Sequence, residues 1–83
     1  MRVLILPKSR FIDIDGQSFT VRNFPRTAQH IDSIQWDGDC GQYNKRGRAD
    51  RVDFEHFPDI REIQSYIDAW NEEKHMCDSA KSP

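Results

Sequence analysis

A chain of 83 residues, 36% hydrophobic and 31% charged, has room for one hydrophobic core and not for two, and that balance excludes wholesale disorder. Its formal charge of −2 provides no global attraction to nucleic acid or an anionic membrane, so any such contact has to come from a local patch. Cys40 and Cys77 are too few for the dense disulfide framework of a small secreted domain, and reduced thiols are expected.

In chain order, Val3-Leu4-Ile5-Leu6 is an apolar run that Pro7-Lys8 ends far below the length of a signal segment or membrane span. It reads as a further short strand, with an edge position one option, because Pro7 cannot donate to a ladder and fits best at a strand end; the protein is expected in the cytoplasm. Phe11 to Val21 divides at Asp15-Gly16, a dipeptide that accepts the positive φ of a type I′ turn. A hairpin with that turn sets Ile14 opposite Gln17, Ile12 opposite Phe19 and Arg10 opposite Val21, so Ile12, Ile14, Phe19 and Val21 share one face. Asn23 to Ala28 reads as a connection, since Pro25 removes a donor and biases Phe24 away from helical dihedrals.

Ile31 to Trp36 resumes alternation, with Ile34 and Trp36 on one face and Ser33 and Gln35 on the other. Asp37-Gly38-Asp39-Cys40-Gly41 is turn chemistry that leads into a short strand around Gln42, Tyr43 and Asn44. Lys45 to Asp50 reads as an exposed loop, and Arg51 to Glu55 as the last strand with Val52 and Phe54 inward. Ile60, Ile63, Ile67 and Trp70 then recur at helical spacing, flanked by Tyr66, while Arg61, Glu62, Gln64, Asp68 and Asn71 to Lys74 fall largely outside the stripe. Asp59 is placed to cap this helix, Glu62 to complete a capping box, and Pro58 sits where no helical bond is lost. No glycine closes the helix, so its end is expected between Lys74 and Asp78, with one domain over residues 1–78 and a flexible tail at 79–83. The sum is an α+β fold: a small twisted antiparallel sheet of four to five strands with one C-terminal helix packed on one face. Trp70 belongs to its core; Trp36, beside a turn, is either core or a contact residue.

The chemistry-bearing residues do not assemble a reactive site. Asp13-Ile14-Asp15-Gly16 and Asp37-Gly38-Asp39 carry acidic oxygens and glycine but lack the spaced ligands and terminal bidentate Glu of a calcium loop. His30, Cys40, His56, His75 and Cys77 have no paired spacing that closes a zinc site. Asp39 beside Cys40 raises a thiol pKa, the wrong direction for a nucleophile, and no phosphate cradle, nucleophile elbow or zincin motif is present. No enzyme activity and no cofactor are expected. Lys45, Arg46, Arg48 and Arg51, with Tyr43 beside them, form the one basic cluster, able to grip a phosphate backbone while stacking a base. Asp39, Asp50, Asp53 and Glu55 surround that cluster, which weakens the nucleic-acid reading and favours a solvated loop or contact with an acidic protein surface.

One stretch carries a resemblance. Ile31-Asp32-Ser33-Ile34-Gln35-Trp36, Gly38-Asp39-Cys40-Gly41, Val52-Asp53-Phe54 and Tyr66-Ile67-Asp68-Ala69-Trp70 together resemble a short module of small bacteriophage tail-accessory and tail-fibre-assembly proteins, over roughly residues 31–70. The chain departs from that pattern at Gln42-Tyr43-Asn44, where an apolar residue and Glu usually follow the second glycine, and in its basic polar turn. The resemblance implies a non-catalytic phage or prophage protein that binds tail components during assembly or remains as a minor tail part, in the host cytoplasm or on the virion. Its expected contact residues are Trp36, Tyr43, Lys45, Arg46, Arg48 and Arg51, with Phe11, Ile31 and Tyr43 on the outer face of the sheet. The alternative is a small nucleic-acid-binding regulator that uses the basic loop at 45–51.

Overall fold

The computed structural model describes the backbone of residues 1–81 and the side chains of residues 1–49 and 51–77. Six strands, β1 (Val3–Leu6), β2 (Phe11–Ile14), β3 (Gln17–Thr20), β4 (Ile31–Trp36), β5 (Gly41–Arg46) and β6 (Val52–Phe57), form one antiparallel sheet in the order β3-β2-β1-β4-β5-β6. A 3-10 turn over Ile60–Ile63 leads into α1 (Gln64–Lys81), which lies over β2 and β3. The class is the expected α+β; the sheet has six strands rather than four to five. Among the described residues no helix is long and apolar enough to cross a membrane.

The first hairpin follows its turn chemistry. Asp15 and Gly16 both take positive φ, 51° and 89°, and Ile14 pairs with Gln17 and Ile12 with Phe19. The Asp13 carboxylate accepts from Gly16 N at 3.1 Å and the Asp15 carboxylate from Arg2 N at 2.8 Å, so both acids serve the turn and the neighbouring backbone.

β1 is not an edge strand; it lies in the middle, paired with both β2 and β4. Pro7 stands one residue past its end, in a 3-10 turn closed by Arg10 at φ 54°, and therefore removes no ladder bond. Val3 and Ile5 are buried and Leu4 and Leu6 half-buried, the apolar content on both faces that a central strand carries.

Three departures lie in the second half. The pairing of β4 with β5 slips between Ile31 and Ser33, which leaves Asp32 as an extra residue. Ile31 and Ile34 lie three apart and would face opposite ways in a regular strand; the bulge turns Ile31 onto the helix side, where it packs against the core. Tyr43, opposite Ile34, also faces that side, so the expected placement of Ile31 and Tyr43 on the outer face is corrected, while Phe11 does lie on the open face, half-buried. β5 continues through Arg46 and β6 starts at Val52, which shortens the expected 45–50 loop to a tight connection: Gly47 N donates to Arg51 O at 2.6 Å, and Arg51 N to Arg48 O at 3.2 Å.

β6 reverses its expected facing. It runs on to Phe57, which is buried opposite Gly41, and this aromatic sets the frame for the strand. Asp53 and Glu55 share its side; Val52 and Phe54 point to the uncovered face, 53% and 60% exposed. The bare backbone of Gly41 is what admits the Phe57 ring: a Cβ there would collide with it. The ring stacks on Trp36 at 5.8 Å between centroids and on Tyr43 at 4.6 Å.

Ile63, Tyr66, Ile67, Ala69 and Trp70 bury the helical stripe against Val3, Ile5, Ile12, Ile14, Val21 and Ile34. Trp70 donates from Nε1 to the Gln17 carbonyl at 3.0 Å and meets the Phe19 ring edge-on at 5.6 Å. Asp59 caps the start as expected, its carboxylate accepting from the Arg61 backbone N–H and Nε, both at 2.9 Å. Glu62 does not complete the expected capping box: its backbone N–H goes to Asp59 O at 3.1 Å, and among the described residues its carboxylate takes no bond from Asp59 N. Glu73, read as part of the polar face, is 6% exposed and accepts from Arg22 N at 3.4 Å and Nε at 3.3 Å, tying the helix to the start of the long connection. Tyr66, Trp70 and Glu73 follow the same helical spacing, so the periodicity that marked the stripe also reaches Glu73. The backbone of α1 is helical through Lys81, past the end expected between Lys74 and Asp78 and into the expected tail at 79–83; side chains from residue 78 on, and Ser82 and Pro83 altogether, lie outside the described residues.

Candidate interaction site

The candidate contact residues all sit on or beside the β5–β6 hairpin, but they do not form one surface. Trp36 is 7% exposed, with its ring sandwiched into the core, and is not placed to touch a partner. Tyr43 and Lys45 face the helix side, where the Lys45 ammonium lies 5.7 Å from the centre of the Tyr43 ring and is paired with the Glu55 carboxylate. Arg46 faces the opposite side and lies 3.5 Å from an Asp32 oxygen. Arg48 and Arg51 are exposed at the connection, and among the described residues neither forms an ion pair.

The electrostatics of the hairpin are therefore largely internal. The bulge that turns Ile31 inward carries Asp32 to a position between Lys8 and Arg46. Lys8 chiefly, helped by Arg46, holds the Asp32 carboxyl below the ordinary carboxylate range. Its Oδ1 is buried without a hydrogen bond of good geometry, yet Lys8 Nζ lies 3.3 Å away, close enough to compensate it by charge. Glu55 is likewise lowered, by Lys45. Two of the four cationic side chains expected to meet an anionic partner are thus already committed to carboxylates of the same chain.

On the helix side, Tyr43 and Lys45 line a groove of about 210 Å³ with Arg26, Ile31, Glu62 and Tyr66. Burial first, then the Glu62 carboxylate, pushes the Tyr43 phenol upward, so it stays protonated and serves as a hydrogen-bonding group. Thr27 Oγ1 and Tyr66 Oη lie 2.5 Å apart, and Phe24 meets the Tyr66 ring edge-on at 5.5 Å, so the wall of the groove is a pinned connection.

On the uncovered side, the middle of the sheet is polar. Gln42 Nε2 donates to Asn44 Oδ1 at 2.8 Å, and Asn44 Nδ2 donates to Ser33 Oγ at 2.6 Å. Beyond this ladder stand Phe54 and Val52 on the terminal strand. Sequence reasoning missed these two as surface residues because their alternation is the same whichever face is buried; the signal that decides it is Phe57, two and four residues from the outward positions' neighbours Glu55 and Asp53, opposite a glycine.

The ladder fixes which backbone groups of β6 face outward. Gly47 N bonds to Arg51 O, and Arg46 N bonds to His30 O on the β4 side. Alternation from both starting points directs the backbone groups of Asp53, Glu55 and Phe57 to β5. Those of Val52, Phe54 and His56 point away from the sheet, where no strand is paired with β6.

The remaining reactive groups stay apart. Asp37 Oδ1 accepts from the backbone of Asp39 and Cys40, each at 3.0 Å, and the Cys40 thiol leans on Asp37 Oδ2 at 3.7 Å. The Asp37 carboxylate, then burial, push the Cys40 thiol up, the direction expected, although Asp37 rather than Asp39 is the main cause. Cys40 is exposed, Cys77 half-buried, and both are free thiols. Cys40 and His56 border one shallow depression, but among the described residues no group of three metal-ligating side chains converges.

Comparison with protein families, with curated proteins and with solved structures finds no match for this chain.

Proposed function

We propose that this chain is a non-catalytic protein-binding module of phage or prophage tail assembly, or a minor tail component, and that the β5–β6 hairpin is its contact element. The observation that supports it is the terminal strand β6: a six-residue edge with no strand paired to its outer side among the described residues, carrying Val52 and Phe54 at 53% and 60% exposure. Unpaired edges are the part of a sheet that adds strands from other chains, and a small domain rarely leaves large apolar side chains at such an edge without a use for them. The phage assignment rests on the resemblance over residues 31–70; the binding assignment rests on the hairpin.

The nucleic-acid alternative loses support from the ion pairs. With Lys45 held by Glu55 and Arg46 by Asp32, the loop offers a phosphate backbone Arg48 and Arg51 alone, in a chain of net charge −2. A salt-dependent shift with DNA or RNA, abolished by changing Arg46 and Arg48, would restore it.

The experiment is affinity capture of the tagged full chain from prophage-induced cells, with the Val52→Ser/Phe54→Ser variant alongside. Tail components are expected with the wild type and are expected to fall away with the variant. Capture of no tail component, or equal capture by the variant, overturns the proposal.

A further inference from the structure

We infer that β6 pairs antiparallel with β6 of a second copy of this chain, in the register that sets Val52 opposite Phe54 of the other copy and Asp53 opposite its own equivalent. The inference rests on the reading of β6 as the contact element and adds the identity of one partner.

The backbone comes first. A two-fold axis perpendicular to the sheet brings two identical edges together antiparallel and keeps each face on its own side. Only residues whose backbone groups point outward can bond across such a seam, and on β6 these are Val52, Phe54 and His56. Opposing Val52 to Phe54 makes two such pairs, related by the axis, each exchanging N–H and C=O. α1 lies over β2 and β3, at the other end of the sheet from the β6 edge.

Side chains then select the register. With Val52 opposite Phe54, the two pairs form an apolar quartet on the uncovered face. On the helix side, Arg51 faces Glu55 of the other copy twice, and the two Asp53 carboxylates meet once at the axis. The two Arg51–Glu55 pairs outweigh that one like-charge contact. Moving the register two residues one way sets Phe54 against Phe54 and puts Asp53 against Glu55 twice, both repulsive. Moving it two residues the other way sets Val52 against Val52 and Arg51 against Asp53, but leaves Phe54 facing the backbone of Asp50, in the connection between β5 and β6, and shortens the seam. The first register alone puts both Val52 and Phe54 in apolar pairs while setting opposite charges face to face. A seam of this size gives a weak, concentration-dependent dimer.

Sedimentation velocity over a dilution series of the full chain tests it, with Arg51→Glu and Glu55→Arg made separately. In the inferred register each variant alone places like charges opposite each other twice and weakens self-association on the order of tenfold. Mixing the two variants restores both opposite-charge pairs and brings association back, which a folding defect would not do; far-UV circular dichroism checks that each variant is folded. A wild type that stays monomeric at every concentration overturns the inference. So does a Glu55→Arg chain that self-associates more tightly than wild type, the signature of Asp53 opposite residue 55, or one that matches wild type, the signature of Val52 opposite Val52. So does a mixture no tighter than its parts. A monomeric wild type that still captures tail components overturns the dimer and leaves the proposed function standing.

Discussion

The two ends of the sheet are built in different ways. At one end β2 and β3 lie under α1, and Ile5, Ile12, Ile63 and Trp70 close a two-layer core. At the other, β5 and β6 reach past the helix, and of β6 only Phe57 is buried. There the strands are held by their backbone ladder, by the Lys45–Glu55 and Arg46–Asp32 pairs, and by the Gln42–Asn44–Ser33 chain of amides and hydroxyl. Surface ion pairs of this kind add little to stability, so the hairpin depends on the helical end for its fold. In return, its side chains are not required for packing and are open to selection for contact. A small domain can in this way keep stability and recognition on separate sets of residues.

That division can be broken most directly at Trp70. Truncation to alanine removes the largest side chain of the helical stripe, its Nε1 bond to Gln17 and its contact with Phe19, with an expected loss of about 3 to 5 kcal/mol. A domain of this size is stable by about 4 to 12 kcal/mol in total. Urea unfolding should therefore find Trp70→Ala close to the limit of folding; a loss below about 1 kcal/mol would mean that the helical end is not the stabilising one.

Gly41 sits at the junction of the two ends and should give an intermediate effect. An added methyl collides with the Phe57 ring and must push it off Trp36 and Tyr43, so Gly41→Ala is expected to cost about 1 to 3 kcal/mol. The same unfolding measurement reads it. A neutral result would show that Phe57 has another resting place and that the facing of β6 is not set by this contact.

How much of this was legible in the residues follows the same division. Asp15-Gly16, the stripe from Ile60 to Trp70 and the alternation of Ile34 and Trp36 are local signals, and the structure agrees with each. What failed depended on distant partners. The centre position of β1 requires knowing that β2 and β4 flank it, and an extra residue at Asp32 is visible only against β5. The facing of β6 turns on an aromatic filling the space above a glycine 16 positions away in a pairing that the sequence does not state. The contact residues divide the same way: Trp36 is core, one of the two readings it allowed, Tyr43 faces the helix side opposite Ile34, and Phe54 and Val52, read as core, carry the exposed edge.

The smallest effect on stability is expected at Phe54. Its side chain touches water on the uncovered face, so Phe54→Ser should change the unfolding free energy of the dilute chain by no more than about 0.5 kcal/mol. Amide hydrogen exchange adds a pattern that a merely loose hairpin cannot give. In dilute solution the outward amides of Val52 and Phe54 should exchange quickly, while those of Asp53 and Glu55, directed at β5, exchange more slowly. Raising the concentration should slow Val52 and Phe54 alone, because only their N–H groups gain a carbonyl from a second edge. If all four amides exchange at one rate, the hairpin opens as a unit, and an edge that does not persist cannot serve as a template for another strand.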